Sequence, residues 1–133
     1  MNDCIFCKIV KGDARSWKVY ENECVYAFFD INPVNEYHTL VIPKNHYENI
    51  FDVPEMELVE VVKIVKQLAV LYNDKLGIRN VQIINCSGRE AQQDVFHMHI
   101  HIVPRYKDDH QNIKWTTHAE WIGKFDQLLA KIR

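Results

Sequence analysis

His97-Met98-His99-Ile100-His101-Ile102-Val103-Pro104-Arg105 alternates imidazoles with apolar side chains. A strand repeats every two residues, so His97, His99 and His101 fall on one face. Met98, Ile100 and Ile102 fall on the other and can anchor the segment in a core. A row of imidazoles on a rigid element is costly to bury without partners. Three explanations fit the pattern. The face is polar and held by structural hydrogen bonds, or it is a three-histidine zinc site with an open position, or one imidazole attacks phosphorus while its neighbours handle charge and protons. Three of the seven histidines within five residues disfavour the first. Spacing alone does not separate the other two.

Working outward, Val95–Val103 reads as the histidine strand, Cys86–Asp94 as a loop and Asn80–Asn85 as a strand before it. Trp17–Tyr20 and Glu23–Phe29 read as a hairpin turning at Glu21-Asn22. Asp30–Glu36, with Asn32-Pro33, is a loop. Tyr37–Ile42 is a strand with His38, Leu40 and Ile42 on one face. The long helix follows: Asp52 caps it, Glu55 completes a capping box, and Pro54 suits the first turn. Leu58, Val61, Val62, Val65, Leu68, Ala69 and Tyr72 keep helical spacing, and Gly77 ends it. A C-terminal helix is expected from Thr117, with Trp121, Ile122, Phe125, Leu128, Leu129 and Ile132 on its apolar face, weakened by Gly123. This order predicts an α+β fold, a mainly antiparallel sheet with one long helix packed on it and a C-terminal helix. At 133 residues one domain, 1–133, is expected.

The chain carries 16 basic and 18 acidic residues, a net charge of −2. That argues against a nucleic-acid binder working by bulk attraction. No run of 18 apolar residues suggests a membrane span. Met1-Asn2-Asp3-Cys4 does not open a secretory signal, so a cytoplasmic location with reduced cysteines is expected. Cys24 and Cys86 sit in apolar stretches and read as core packing. Cys4 and Cys7 form a C-x-x-C pair, which admits a redox pair, a chance pair, or half of a zinc site needing two more ligands. His110 and His118 read as surface residues without a role.

His97–Arg105 resembles the signature of the histidine-triad (HIT) nucleotide-binding family. Cys4-Ile5-Phe6-Cys7-Lys8-Ile9 resembles the opening of its bacterial branch, and Phe29-Asp30-Ile31-Asn32-Pro33 its ribose-contacting turn. His38-Thr39-Leu40-Val41-Ile42-Pro43-Lys44-Asn45-His46 is similar to its His-x-Leu-Val-Ile-Pro-Lys-x-His strand. Asn85 and the stretch from Gly88 to His97 resemble its phosphate loop.

The resemblance implies a HIT-like fold, a homodimer, and a purine nucleotide or nucleotide conjugate as partner. It implies hydrolysis of nucleoside 5'-phosphoramidates or related conjugates at the α-phosphate, with a nucleotidyl-histidine intermediate. His99 matches the nucleophile, His101 the histidine that hydrogen-bonds phosphate, and His38 the one that orients the triad. Asp30 matches the ribose acceptor and Ile31 packs on the nucleoside. Asn85 and Gln93 match contacts on the phosphate and leaving-group side. His46 and His97 would complete a structural zinc site with Cys4 and Cys7, and a ligated His97 cannot act freely as an acid. A dinucleoside polyphosphate hydrolase and a nucleotide-binding adaptor with weak catalysis are the alternatives.

Two residues depart from the family pattern. Gln92 stands where the phosphate loop has glycine, so a positive-φ conformation would be strained or replaced. Asp94 stands where a hydroxyl donates to phosphate, and an ionised carboxylate there cannot donate and would repel.

Overall fold

The computed structural model describes residues 3–133. Five strands form one sheet: β1 (Lys18–Glu21), β2 (Val25–Phe29), β3 (Thr39–Pro43), β4 (Val81–Ile84) and β5 (Ile100–Pro104). Their order is β1-β2-β3-β5-β4 and every pairing is antiparallel. The helices are α1 (Ile5–Lys11), α2 (Glu55–Leu76) and the short α3 (Phe125–Ala130). This is the expected α+β arrangement.

Period two sorts β2 between two cores. Val25 and Ala27 join Val41, Met98, Ile100 and Ile102 against Val61, Ile64, Val65 and Leu68 of α2. Tyr26 and Phe28 join Leu40 and Ile42 against Phe6 and Ile9 of α1. Both faces of the central strands are thus covered, which is why β3 is buried throughout. The sheet face opposite α2 has its own cover because residues 5–11, unassigned by pattern, form a helix. The Cys4 thiol caps it by accepting from the Cys7 N–H, and Gly12 ends it in the left-handed region (φ 85°).

Several boundaries differ from expectation, each for a local reason. Asp52 does not cap α2; its carboxylate turns back to accept from the N–H groups of Glu48 and Asn49, and Pro54 directly precedes the helix. Gly77 does end α2, its N–H reaching the carbonyl of Asn73 and the next N–H, of Ile78, that of Tyr72. β3 starts late because Tyr37 takes a left-handed φ of 65°. Cys24 is exposed, not core, because it sits in the β1–β2 turn that the Asn22 side chain holds together. Cys86 is half-buried and belongs to neither core.

The histidine strand is shorter than expected. The ladder begins at Ile100, so only His101 lies within it. The Met98 N–H goes to the Tyr47 carbonyl and the His99 carbonyl to the Asn85 amide. Alternation survives without the ladder: Met98, Ile100 and Ile102 enter the α2-side core as predicted. At the C-terminus a 3-10 turn (Ala119–Lys124) precedes α3, and every residue from 111 to 133 is exposed. The apolar face expected there covers nothing within the described chain. No helix of the described residues is long and apolar enough to cross a membrane.

Candidate active site and metal centre

Cys4 and Cys7 at the start of α1, His46 after β3 and His97 before β5 converge. Their ligand atoms all lie within 4.8 Å of one another. His97 Nδ1 is 3.4 Å from the Cys4 sulfur, 3.5 Å from the Cys7 sulfur and 3.2 Å from His46 Nδ1. His46 Nδ1 is 3.3 Å from the Cys7 sulfur. A tetrahedron built on zinc–sulfur bonds of about 2.3 Å and zinc–nitrogen bonds of about 2.0 Å has edges of about 3.3–3.8 Å, so the donor set fits that ion. The proton on His97 is placed to suit a ligand. Its Nε2–H donates to the Pro43 carbonyl at 2.8 Å, which leaves the Nδ1 lone pair facing the cluster. Burial pushes His97 down to about 4, so the ring is neutral as a ligand must be. Both thiols face imidazole nitrogens, which favours a metal pair over a redox pair.

The second constellation is Asp30, His38 and His101. The Val34 N–H donates to His38 Nδ1 at 3.0 Å. Burial holds His38 below its ordinary value, partly countered by Asp30, so the ring is neutral and its proton sits on Nε2. That proton points at His101 Nδ1, 2.9 Å away, with the Asp30 carboxylate at 3.4 Å. His101 Nδ1 therefore accepts, and its own proton sits on Nε2. These three side chains also have the spacing of a metal site. A metal there would have to displace the His38 proton and leave an anionic ring, so a hydrogen-bond relay is the better account. Burial above all, then the rings of His99 and His38, push His101 down to about 4.

His99 completes the set with the opposite polarity. Its Nδ1–H donates to the His97 carbonyl at 2.7 Å, so Nε2 holds a lone pair. The ring is buried beside Phe6, which meets it edge-on at 5.2 Å, and beside His101 at 5.0 Å. A lone pair on His99 Nε2 thus neighbours an N–H donor on His101.

The remaining predicted residues surround this core. Asp30 steadies its own turn by accepting from the Asn32 N–H, and Ile31 beside it is 74% exposed. A cavity of about 460 Å³ opens next to them, walled by Trp17, Phe29 and Tyr37. Asn85 donates to the His99 carbonyl and accepts from the Ser87 hydroxyl. Gln93 is buried and faces the protein. Its oxygen accepts from the Gly88 N–H and its amide donates to the carbonyls of Glu48 and Val95. It braces the loop instead of presenting a free amide. Gln92 keeps the left-handed backbone (φ 72°) that glycine would adopt freely. Asp94 is exposed at the mouth of a second cavity with His46 and Phe96, and its charge reaches His101.

Sequence reasoning missed the groups that set the protons: the Val34 N–H and the carbonyls of Pro43 and His97. They are backbone, so no residue pattern marks them.

The HIT domain pattern matches residues 11–108. The chain belongs to the HIT domain family. It is similar to an uncharacterised HIT-like protein of Methanocaldococcus jannaschii, 47% identical over 84% of this chain and 86% of that one. It is similar to the adenosine 5'-monophosphoramidase of Saccharomyces cerevisiae, 38% identical over 97% of this chain and 82% of that protein. Among solved structures, a HIT family protein of Bacillus anthracis matches with a TM-score of 0.91, 34% identity and coverage of 98% and 95%. A zinc-bound histidine triad family protein of Mycobacterium smegmatis matches with a TM-score of 0.79, 32% identity and 97% coverage of both chains.

Proposed function

We propose that residues 1–133 form one HIT domain of the bacterial branch. It hydrolyses nucleoside 5'-phosphoramidates or related purine nucleotide conjugates at the α-phosphate. The observation that carries this is the hydrogen bonding of two adjacent rings, which leaves a lone pair on His99 Nε2 and a proton on His101 Nε2. His99 Nε2 attacks phosphorus, the bond to the leaving nitrogen breaks, and the amine leaves with a proton drawn from solvent, which the attacking water of the second step returns. A nucleotidyl-imidazole remains. His101 Nε2–H donates to a phosphate oxygen as charge develops. Water then attacks phosphorus, the bond to His99 breaks, and nucleoside monophosphate is released. The Asp30 carboxylate accepts from ribose hydroxyls and Ile31 packs on the nucleoside. Asn85 and Asp94 border the phosphate, and Gln93 supports that loop from behind.

The relatives named adenosine 5'-monophosphoramidase support the choice of leaving group. Cys4, Cys7, His46 and His97 would hold zinc. A closed tetrahedral site of this kind supplies rigidity and no reaction step, tying the start of α1 to the residue two before the nucleophile. Two observations support a homodimer. β4 is an open sheet edge carrying exposed Ile83, and α2 exposes Val59, Val62, Val70 and Leu71. The proposed setting is cytoplasmic.

The deciding experiment follows adenosine 5'-phosphoramidate through a rapid quench. AMP should be released, and a labelled adduct should be trapped on His99. Turnover without any protein-bound nucleotide would overturn the mechanism. The exposed Asp94 carboxylate favours one second reading, a nucleotide-binding adaptor with weak catalysis. AMP binding without measurable turnover would select it.

A further inference from the structure

Asp109 is the most heavily used carboxylate outside the site. One oxygen accepts from Arg105 Nε at 2.8 Å, the Tyr106 N–H at 3.0 Å and Asn35 Nδ2 at 3.0 Å. The other accepts from Arg105 Nη2 and the Gln111 N–H, each at 3.0 Å. Its side chain is 8% exposed. Both neighbours are strained: Asp108 and His110 have left-handed φ values of 63° and 61° without being glycine. Two such residues around one carboxylate mark a backbone held in place to aim it.

The carboxylate is aimed at the loop that feeds the relay. Asn35 Nδ2 bridges Asp109 and the Pro104 carbonyl at the end of β5. The Asn35 carbonyl accepts from the His38 N–H. Gln111, seated on Asp109, donates to the Val34 carbonyl. Val34 and Asn35 are thus pinned from both sides, and the Val34 N–H is what occupies His38 Nδ1. Arg105 also reaches Gln82 of β4 at 2.8 Å, so the clasp is anchored across the sheet.

We infer that Asn35 and Asp109 are positioning residues that hold the Val34 N–H on His38 Nδ1 and so fix which nitrogens of His38 and His101 carry protons. The clasp touches no reacting atom. It acts on the tautomer, and a wrong tautomer disables an imidazole that keeps its place. The inference rests on the proposed function only for its effect on turnover.

The test uses the full chain with Asn35→Ala and, separately, Asp109→Asn, which keeps the shape of the side chain. Long-range 1H–15N spectra at neutral pH read the ring nitrogens directly. In the wild type His38 should show a proton on Nε2 and none on Nδ1. In both variants His38 should become a mixture of tautomers, and kcat on adenosine 5'-phosphoramidate should fall by about tenfold or more with KM little changed. Wild-type nitrogen shifts in both folded variants would overturn the inference. So would a changed tautomer with unchanged kcat. If one variant fails to fold by circular dichroism, the other decides. A wild type that shows the expected tautomer but no turnover overturns the proposed function and leaves the clasp standing.

Discussion

His38 Nε2 lies 2.9 Å from His101 Nδ1, and the proton between them belongs to His38 because the Val34 N–H fills its other nitrogen. A backbone group on one loop thereby decides which nitrogen of a side chain on β5 carries the proton.

His101 should remain neutral far below the ordinary histidine range. Its folded value of about 4 lies below the unfolded value of about 6.5. The unfolded chain therefore binds the proton first as pH falls. The stability this ring contributes is complete above about 6.5 and is lost as pH falls through about 4. An NMR titration should find the His101 midpoint near 4. Urea unfolding should lose less stability between pH 7 and 4.5 in His101→Asn than in the wild type. A His101 midpoint near 6.5 would contradict the buried relay.

His99→Ala should abolish turnover, by a factor of about a thousand or more, and leave AMP binding within a few-fold of wild type. Isothermal titration and steady-state kinetics separate the two effects. Near-normal turnover would remove His99 from the nucleophile's role.

Metal analysis should find about one zinc per chain. Replacing Cys4 and Cys7 together by serine should lose the metal and lower the melting temperature by several degrees, because α1 is no longer tied to His97. Stoichiometric zinc in that double variant would mean a different ligand set.

Asp94→Ser should tighten AMP binding several-fold at low salt and less at high salt, since screening weakens an exposed like-charge contact. It should raise kcat/KM on adenosine 5'-phosphoramidate if the carboxylate only repels. Affinity unchanged at both salt concentrations would show that Asp94 points away from phosphate.

Light scattering at micromolar concentration should report twice the mass of the chain. Ile83→Lys, on the open β4 edge, should shift that mass toward the monomer. A monomeric wild type would rule out the dimer.

The sequence by itself determined the architecture wherever burial obeys a period. Met98, Ile100 and Ile102 enter one core because they alternate. α2 runs from Glu55 to Leu76 because its apolar residues repeat on one face and Gly77 stops it. The sequence also marked the histidines, cysteines and Asp30 as chemical, since such residues seldom gather without cause. Tertiary structure decided what each of them presents. His97 turns Nδ1 to the cysteines because Pro43 takes the proton on Nε2, and His99 frees Nε2 because the His97 carbonyl takes Nδ1. His38 donates its Nε2–H to His101 because the Val34 N–H occupies its other nitrogen. Gln93 braces its loop because Gly88, Glu48 and Val95 surround it. These partners are mostly backbone groups brought close by the sheet and its loops. Every residue carries the same amide, so no side-chain pattern distinguishes the one that will sit against an imidazole.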